Sequence, residues 1–359
     1  MPTSPTPAST EPATVPPEVP RQARHHPTVD AAAPQRGAAG PKGVLLPAAI
    51  VLIIGSIFVS VYLAAFHAPR PHRLPVAVVG TAQHSRQIAA GLEHGLPGGF
   101  AVRHYGQETA ARAAVEDRTV YAAYLADAED GPELLYAGAN GPSVTSTVTE
   151  AFSSLARAEG HTLAPKDVVP AAAGDTRSMS VFYAAFGVVL AGYLFGMMTY
   201  QMAPRLHLRA RMLSLALFSV LGGVIVALLT GSLAFGALPG PFLGTAGVIA
   251  LMAAAVGSAT MVFMRLFGPV GMPLASVVLL ILGNSTSGGT LPAAYLPDWL
   301  HPLSHILPVG VGVRAVQGLS HFHNDGLTQG IVVLTAWTVL CAAVVYWRDV
   351  HAPRRRAAV

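Results

Sequence analysis

The side chains of this chain that could do chemistry gather near its end. His301, His305, His321 and His323 flank a segment rich in Gly and Pro. On a helix His301 and His305 share a face, and on a strand His321 and His323 do, so the four could together bind Zn²⁺ or Cu²⁺. Only Asp298 and Asp325 offer a carboxylate nearby, and imidazole sits comfortably at a membrane interface without a metal, so no metal site is assigned. The pair His25-His26 reads as two solvated imidazoles. Nucleotide and hydrolase patterns are missing: there is no G-x-x-x-x-G-K-[ST], no H-E-x-x-H and no G-x-S-x-G. The Gly-rich runs at 95–99 and 283–289 lack the lysine that would reach a phosphate. These residues predict a protein that is not an enzyme and carries no cofactor. Arg314 is the charge with the sharpest consequence. At the centre of a bilayer it would cost about 2.5 to 3.5 kcal/mol, so it must snorkel outward or line a polar cavity.

The elements that position these residues follow from where charge is absent. Between Met179 and Tyr346 only Arg205, Arg209, Arg211, Arg265, Asp298, Arg314 and Asp325 are formally charged. Charged residues make up 11% of the chain and hydrophobic ones 52%, with a mean hydropathy of +0.50. A soluble domain carries about 25% charged residues, so the composition indicates an α-helical polytopic membrane protein. The net charge of +4 does not indicate nucleic acid, because the basic residues lie at the ends of apolar blocks rather than in a patch interleaved with aromatics. The single cysteine, Cys341, sits in the last apolar block, which leaves no intramolecular disulfide for the water-facing parts.

Six spans are expected: 44–66, then about 179–202, 212–238, 241–264, 270–284 and 327–347. The fifth is short for a hydrocarbon core of roughly 30 Å, so it either ends within the membrane or continues as a broken, re-entrant element. Residues 1–43 form a Pro- and Ala-rich tail with too little apolar surface to fold, and 348–359 form a basic tail. Residues 67–178 alternate short apolar runs with helical periodicity, and predict a small α/β domain inserted between the first span and a five-helix domain at 179–347. Its last strand is expected near 167–170. Basic residues near the span ends place both termini in the cytoplasm and the inserted domain outside the cell membrane.

Three further features carry expectations. In the outer segment 285–326, Gly288 and Gly289 allow sharp turns, Pro292, Pro297, Pro302 and Pro308 fix kinks, and Trp299 with Tyr295 settles at headgroup depth. This arrangement predicts a re-entrant hairpin that also holds Arg314. Gly192 and Gly196 form a G-x-x-x-G on an apolar helix, with Gly187 near the same face, and predict close approach of another helix, including self-association. Arg205, Arg209 and Arg211 form a basic loop, as cytoplasmic anchors or as a docking surface.

The residues Ser287-Gly-Gly-Thr-Leu-Pro292, Leu296-Pro-Asp-Trp-Leu300 and Leu307-Pro-Val-Gly310 resemble the segment before the last span of type-2 permeases of ABC transporters, in particular the YhgE/phage-infection-protein-like branch. Leu74-Pro-Val-Ala-Val-Val79, Ala137-Gly-Ala-Asn-Gly-Pro-Ser143 and the plan of one span, an outer domain and five spans are similar to the same branch. The resemblance covers about residues 44–347. It implies a permease half that forms a homodimer or heterodimer, is driven by a separate ATP-binding subunit through the loop 204–211, and exports an amphipathic or lipid-like compound. Where relatives carry an acidic residue after the first strand, this chain has Gly80-Thr-Ala-Gln-His84. The competing expectation is an envelope protein that transports nothing and uses its outer domain as a receptor, adhesion or scaffold module.

Overall fold

The computed structural model describes residues 41–126, 128 and 131–351. The N-terminal tail as far as residue 40, with His25 and His26, and the terminal arginines after residue 351 lie outside the described residues. Packing divides the chain into Met1–Ala49 and Ile50–Val359, and apart from residues 41–49 the architecture below belongs to the second unit. The described residues are mostly helical, and among them five helical stretches are long and apolar enough to cross a membrane: Leu45–Phe66, Ser180–Met202, Leu208–Thr230, Phe242–Ser285 and Leu327–Asp349. It is a helical protein of multi-pass membrane character.

Helix α1 (Pro41–Phe66) is followed by β1 (Leu74–Val79), α2 (Ala82–Gly95), β2 (Phe100–Tyr105), α3 (Glu108–Glu116) and β3 (Ala122–Leu125). Next come β4 (Glu133–Tyr136), α4 (Pro142–Ala158) and β5 (Ala164–Asp167). The strands form one sheet in the order β2-β1-β3-β4-β5, parallel except for the β3/β4 hairpin. The fifth strand therefore lies three residues earlier than the apolar pattern indicates, because residues 164–167 pair with β4 despite being exposed. Strand alternation sets the two faces. Val76 and Val78 point into a cluster with Ile88, Leu92 and Phe152 of α2 and α4, whereas Ala77 and Ala123 face Ala111 and Val115 of α3.

Helices α5 (Ser180–Met202), α6 (Leu208–Thr230) and α7 (Phe242–Phe267) form the bundle, closed by α12 (Leu327–His351). Their outer faces expose Leu213, Leu217, Leu243, Val332 and Val339, the surface expected where lipid rather than water is the neighbour. Small residues set the inner contacts. A Cβ on Gly192 would lie 3.1 Å from Val256, and one on Gly196 would lie 2.6 Å from Thr260, so α5 and α7 touch backbone to side chain. Asp175 closes the start of α5 by accepting from the amides of Met179 (3.0 Å) and Ser180 (2.8 Å), a carboxylate at the positive end of the helix. Helix α6 starts four residues before the expected 212 and stops at Gly231, whose amide donates back to Ala227 O.

The 44-residue stretch Phe242–Ser285 is not straight. Gly268 adopts φ +56 and a Cβ on Gly271 would collide with the Phe263 carbonyl, so the chain folds back on itself after α7. The returning limb runs from α8 (Gly271–Ala275) through a π-helical stretch, Ser276–Leu282, to α9 (Gly283–Ser285). Beyond it lie α10 (Leu303–Ile306) and α11 (Pro308–His321). Helix α11 has 14 residues, nine of them buried, and packs against α5, α7 and α12. At about 1.5 Å per residue it reaches roughly 21 Å, short of a hydrocarbon core.

The two ends of the bundle differ chemically. At one end Arg265 Nε donates to Asp349 Oδ1 (2.8 Å), and the Arg211 guanidinium lies over the Tyr200 ring, 4.0 Å from its centroid. The other end carries the sheet. Ala65 of α1 packs there with Leu296 and Leu300, and the amide of His72 donates to Ala294 O (2.7 Å).

Candidate functional site

The segment between α9 and α12 joins the bundle to both faces of the sheet. Leu291 and Tyr295 enter the cluster under α2 and α4, and Phe322 enters the cluster under α3. Between these anchors the chain forms an open-mouthed cavity of about 630 Å³, within the range of small-molecule sites. Its walls bring together Gly288, Gly289, Pro292, Asp298, His301, His305 and Arg314 from this segment, and Arg73, Arg103 and Arg118 from the sheet region.

An ion-pair triad forms one wall. Asp325 Oδ2 accepts from Arg118 Nε (2.8 Å) and Nη2 (2.6 Å) and from Arg314 Nε (3.1 Å), while Oδ1 accepts from Arg314 Nη2 (3.0 Å). Arg118 Nη1 donates to Gln317 Oε1 (2.7 Å) and Nη2 also to the Arg314 carbonyl (3.3 Å). The guanidinium of Arg118 lies over Phe322, 4.6 Å from the ring centroid. The Arg118 side chain is 7% exposed and that of Asp325 17%, whereas Arg314 is 41% exposed. Burial works against the Asp325 carboxylate, but hydrogen bonds from Arg314 and the two guanidinium charges outweigh it and hold its pKa below the ordinary aspartate value. Two glycines make the triad possible. A Cβ on Gly326, which adopts φ +74, would lie 2.6 Å from the Arg314 stem, and one on Gly318 would collide with the Asp325 carbonyl.

The His301 and His305 rings lie in the cavity wall with centroids 5.2 Å apart, tilted by 57° to one another. Burial, and then the charges of His301 and Arg314, push His305 below the ordinary imidazole pKa. The other two histidines go elsewhere: His323 Nδ1 pairs with Asp117 Oδ1 at 2.8 Å, and His321 packs edge-on against Phe322. The four are therefore not gathered, because α11 separates one pair from the other. Among the described residues no three His, Cys, Asp or Glu side chains are close enough to hold an ion.

The remaining expected residues scatter. Pro297 does not line the cavity, Trp299 is 59% exposed beside it, and Pro308 is buried as the first residue of α11. Gly289 touches the start of α5, where a Cβ would lie 2.9 Å from Phe182 Cβ, and Gly288 takes φ +74. Gly192 and Gly196 are covered by α7 of the same chain, while Gly187 faces open space. In the loop before α6, Arg205 and Arg209 are exposed, but Arg211 is 3% exposed and donates from Nη2 to Ala203 O (3.3 Å). No protein-family model, no curated protein and no solved structure matches this chain. The site therefore rests on its own geometry.

Arg73, Arg103 and Arg118 are the residues that sequence reading leaves out. They lie between 196 and 241 positions from Arg314 along the chain and carry no local motif. Arg73 and Arg118 do share one local peculiarity, a positive φ (54 and 55), which no sequence pattern announces for arginine.

Proposed function

We propose that the chain is an integral-membrane permease subunit of the type-2 ABC class that exports an amphipathic or lipid-like compound, working as a dimer with a separate ATP-binding subunit. The observation that supports it best is the short buried helix α11, seated in an apolar bundle and ending at a polar, arginine-lined cavity. A helix too short to cross, packed inside protein rather than against lipid, is the form in which polar backbone is tolerated at membrane depth. Such a helix offers a passage that a set of continuous spans would close.

In this reading the two limbs of 242–285 count as separate crossings, which makes six with α1, α5, α6 and α12. The end bearing Arg205, Arg209, Arg265 and Arg348 faces the cytoplasm, as the positive-inside bias requires. The sheet and its helices then form an extracytoplasmic α/β domain over the cavity, positioned to receive or shield cargo. Exposed Arg205 and Arg209 are available to the ATPase. Arg211 is not, being folded onto Tyr200.

Copurification from membranes tests the proposal. An ATPase should accompany the chain and be lost in Arg205→Ala/Arg209→Ala, a pair of changes at exposed positions that leaves the fold intact. A chain that purifies alone and functions without ATP would replace transport with a receptor or scaffold role. Topology is tested separately in a Cys341→Ala background, where a cysteine placed at Glu108 should react with an impermeant reagent from outside intact cells.

A further inference from the structure

The junction cavity is cationic. Arg73, Arg103, Arg118 and Arg314 line it against Asp298 and Asp325. Asp325 is already engaged on both oxygens by two guanidiniums, and Arg118 is satisfied by Asp325, Gln317 and a carbonyl. Free donors remain. Among the described residues the Arg73 side chain has no ion pair or hydrogen bond, and Arg314 uses only Nε and Nη2, leaving Nη1 open. Asn140 also lines the cavity, and its amide nitrogen is buried without a hydrogen-bond partner among the described residues. Against these donors the one acceptor carboxylate not already paired is Asp298, which is exposed.

A wall with surplus guanidinium and amide donors is complementary to an oxyanion with several acceptor oxygens, which arginine binds through parallel hydrogen bonds. The cavity is far larger than such a group, and Tyr121, Ala293, Ala294 and Leu296 supply apolar wall beside the charges. We propose that this cavity binds the phosphate-type headgroup of an amphipathic molecule, with Arg73 and Arg314 as its charge partners and Asp298 as the group that limits its affinity. This deepens the permease reading by naming its substrate class, and as a binding statement it stands apart from transport.

The test is calorimetric titration of the full chain in a neutral detergent with dioctanoyl phosphatidic acid, dioctanoylglycerol and inorganic phosphate. Phosphatidic acid should bind at least about tenfold more tightly than the uncharged glyceride, the ratio expected of one charge-assisted contact. Arg73→Gln should weaken it about tenfold, and Asp298→Asn should tighten it about threefold, a gain that misfolding cannot produce. If inorganic phosphate displaces the lipid at similar concentration, the site takes free phosphate esters; if it needs much more, the site takes a lipid headgroup. Equal binding of the uncharged glyceride, or affinity unmoved by both Arg73→Gln and Asp298→Asn, overturns the inference. Absence of any ATPase from the purified unsubstituted chain, with phosphatidic acid binding intact, would overturn only the transport reading.

Discussion

Asp325→Asn is the substitution with the clearest physical consequence. It removes the charge between Arg118 and Arg314 while keeping the shape of the side chain. The Arg118 side chain is buried at 7% exposed and that of Asp325 largely so at 17%, and their contacts are 2.6 and 2.8 Å long. Deleting one member of a buried pair costs about 3 to 5 kcal/mol, mostly because the other charge is left unpaired. The half-exposed Arg314 adds little, since screened pairs contribute about 0 to 1 kcal/mol. Asp325→Asn should therefore lower stability by about 3 kcal/mol. Arg118→Gln should cost less, because Asp325 keeps Arg314, and Arg314→Gln should cost least. Cys341, the one cysteine of the chain and buried in α12, provides the assay: a thiol-reactive fluorogenic dye reports its exposure as denaturant is raised in mixed micelles. A double-mutant cycle with Arg118→Gln should give a coupling of about 1.5 to 3 kcal/mol. The reasoning is refuted if Asp325→Asn unfolds at the wild-type midpoint, or if Arg314→Gln is the costlier change.

The other predictions use the same readout. Acid should weaken the triad: because the folded pKa of Asp325 lies below its ordinary 3.8, its contribution is present above that value and lost as pH falls through the depressed one, and Asp325→Asn should abolish that part of the acid slope. Gly196→Val should disrupt the α5/α7 contact and destabilise by about 1 to 3 kcal/mol, whereas Gly187→Val, in open space, should be near neutral. Phe322→Ala should cost about 3 to 5 kcal/mol by emptying a buried site under α3 and removing the ring beneath Arg118. Arg211→Ala should destabilise by about 1 to 2 kcal/mol through its lost ring contact and packing, while Arg205→Ala and Arg209→Ala leave the unfolding midpoint unchanged.

The sequence alone determined the membrane character, because the long charge-free blocks admit no water-soluble core, and it indicated alternating strands and helices after the first span, where apolar alternation and helical period are local properties. It also marked 285–326 as irregular, since Gly288, Gly289 and the prolines disfavour continuous helix whatever surrounds them. Tertiary structure decided the rest. Whether Gly192 and Gly196 meet a second chain or α7 depends on which surface arrives first, and an apolar stripe does not encode its partner. Arg211 and Arg209 look alike in sequence, but only one falls on the face that turns toward Tyr200. The triad of Arg118, Arg314 and Asp325 needed the sheet to dock on the outer segment, a contact made by Phe322, Tyr295 and Leu291, and charges that far apart along a chain become neighbours only when packing closes the distance.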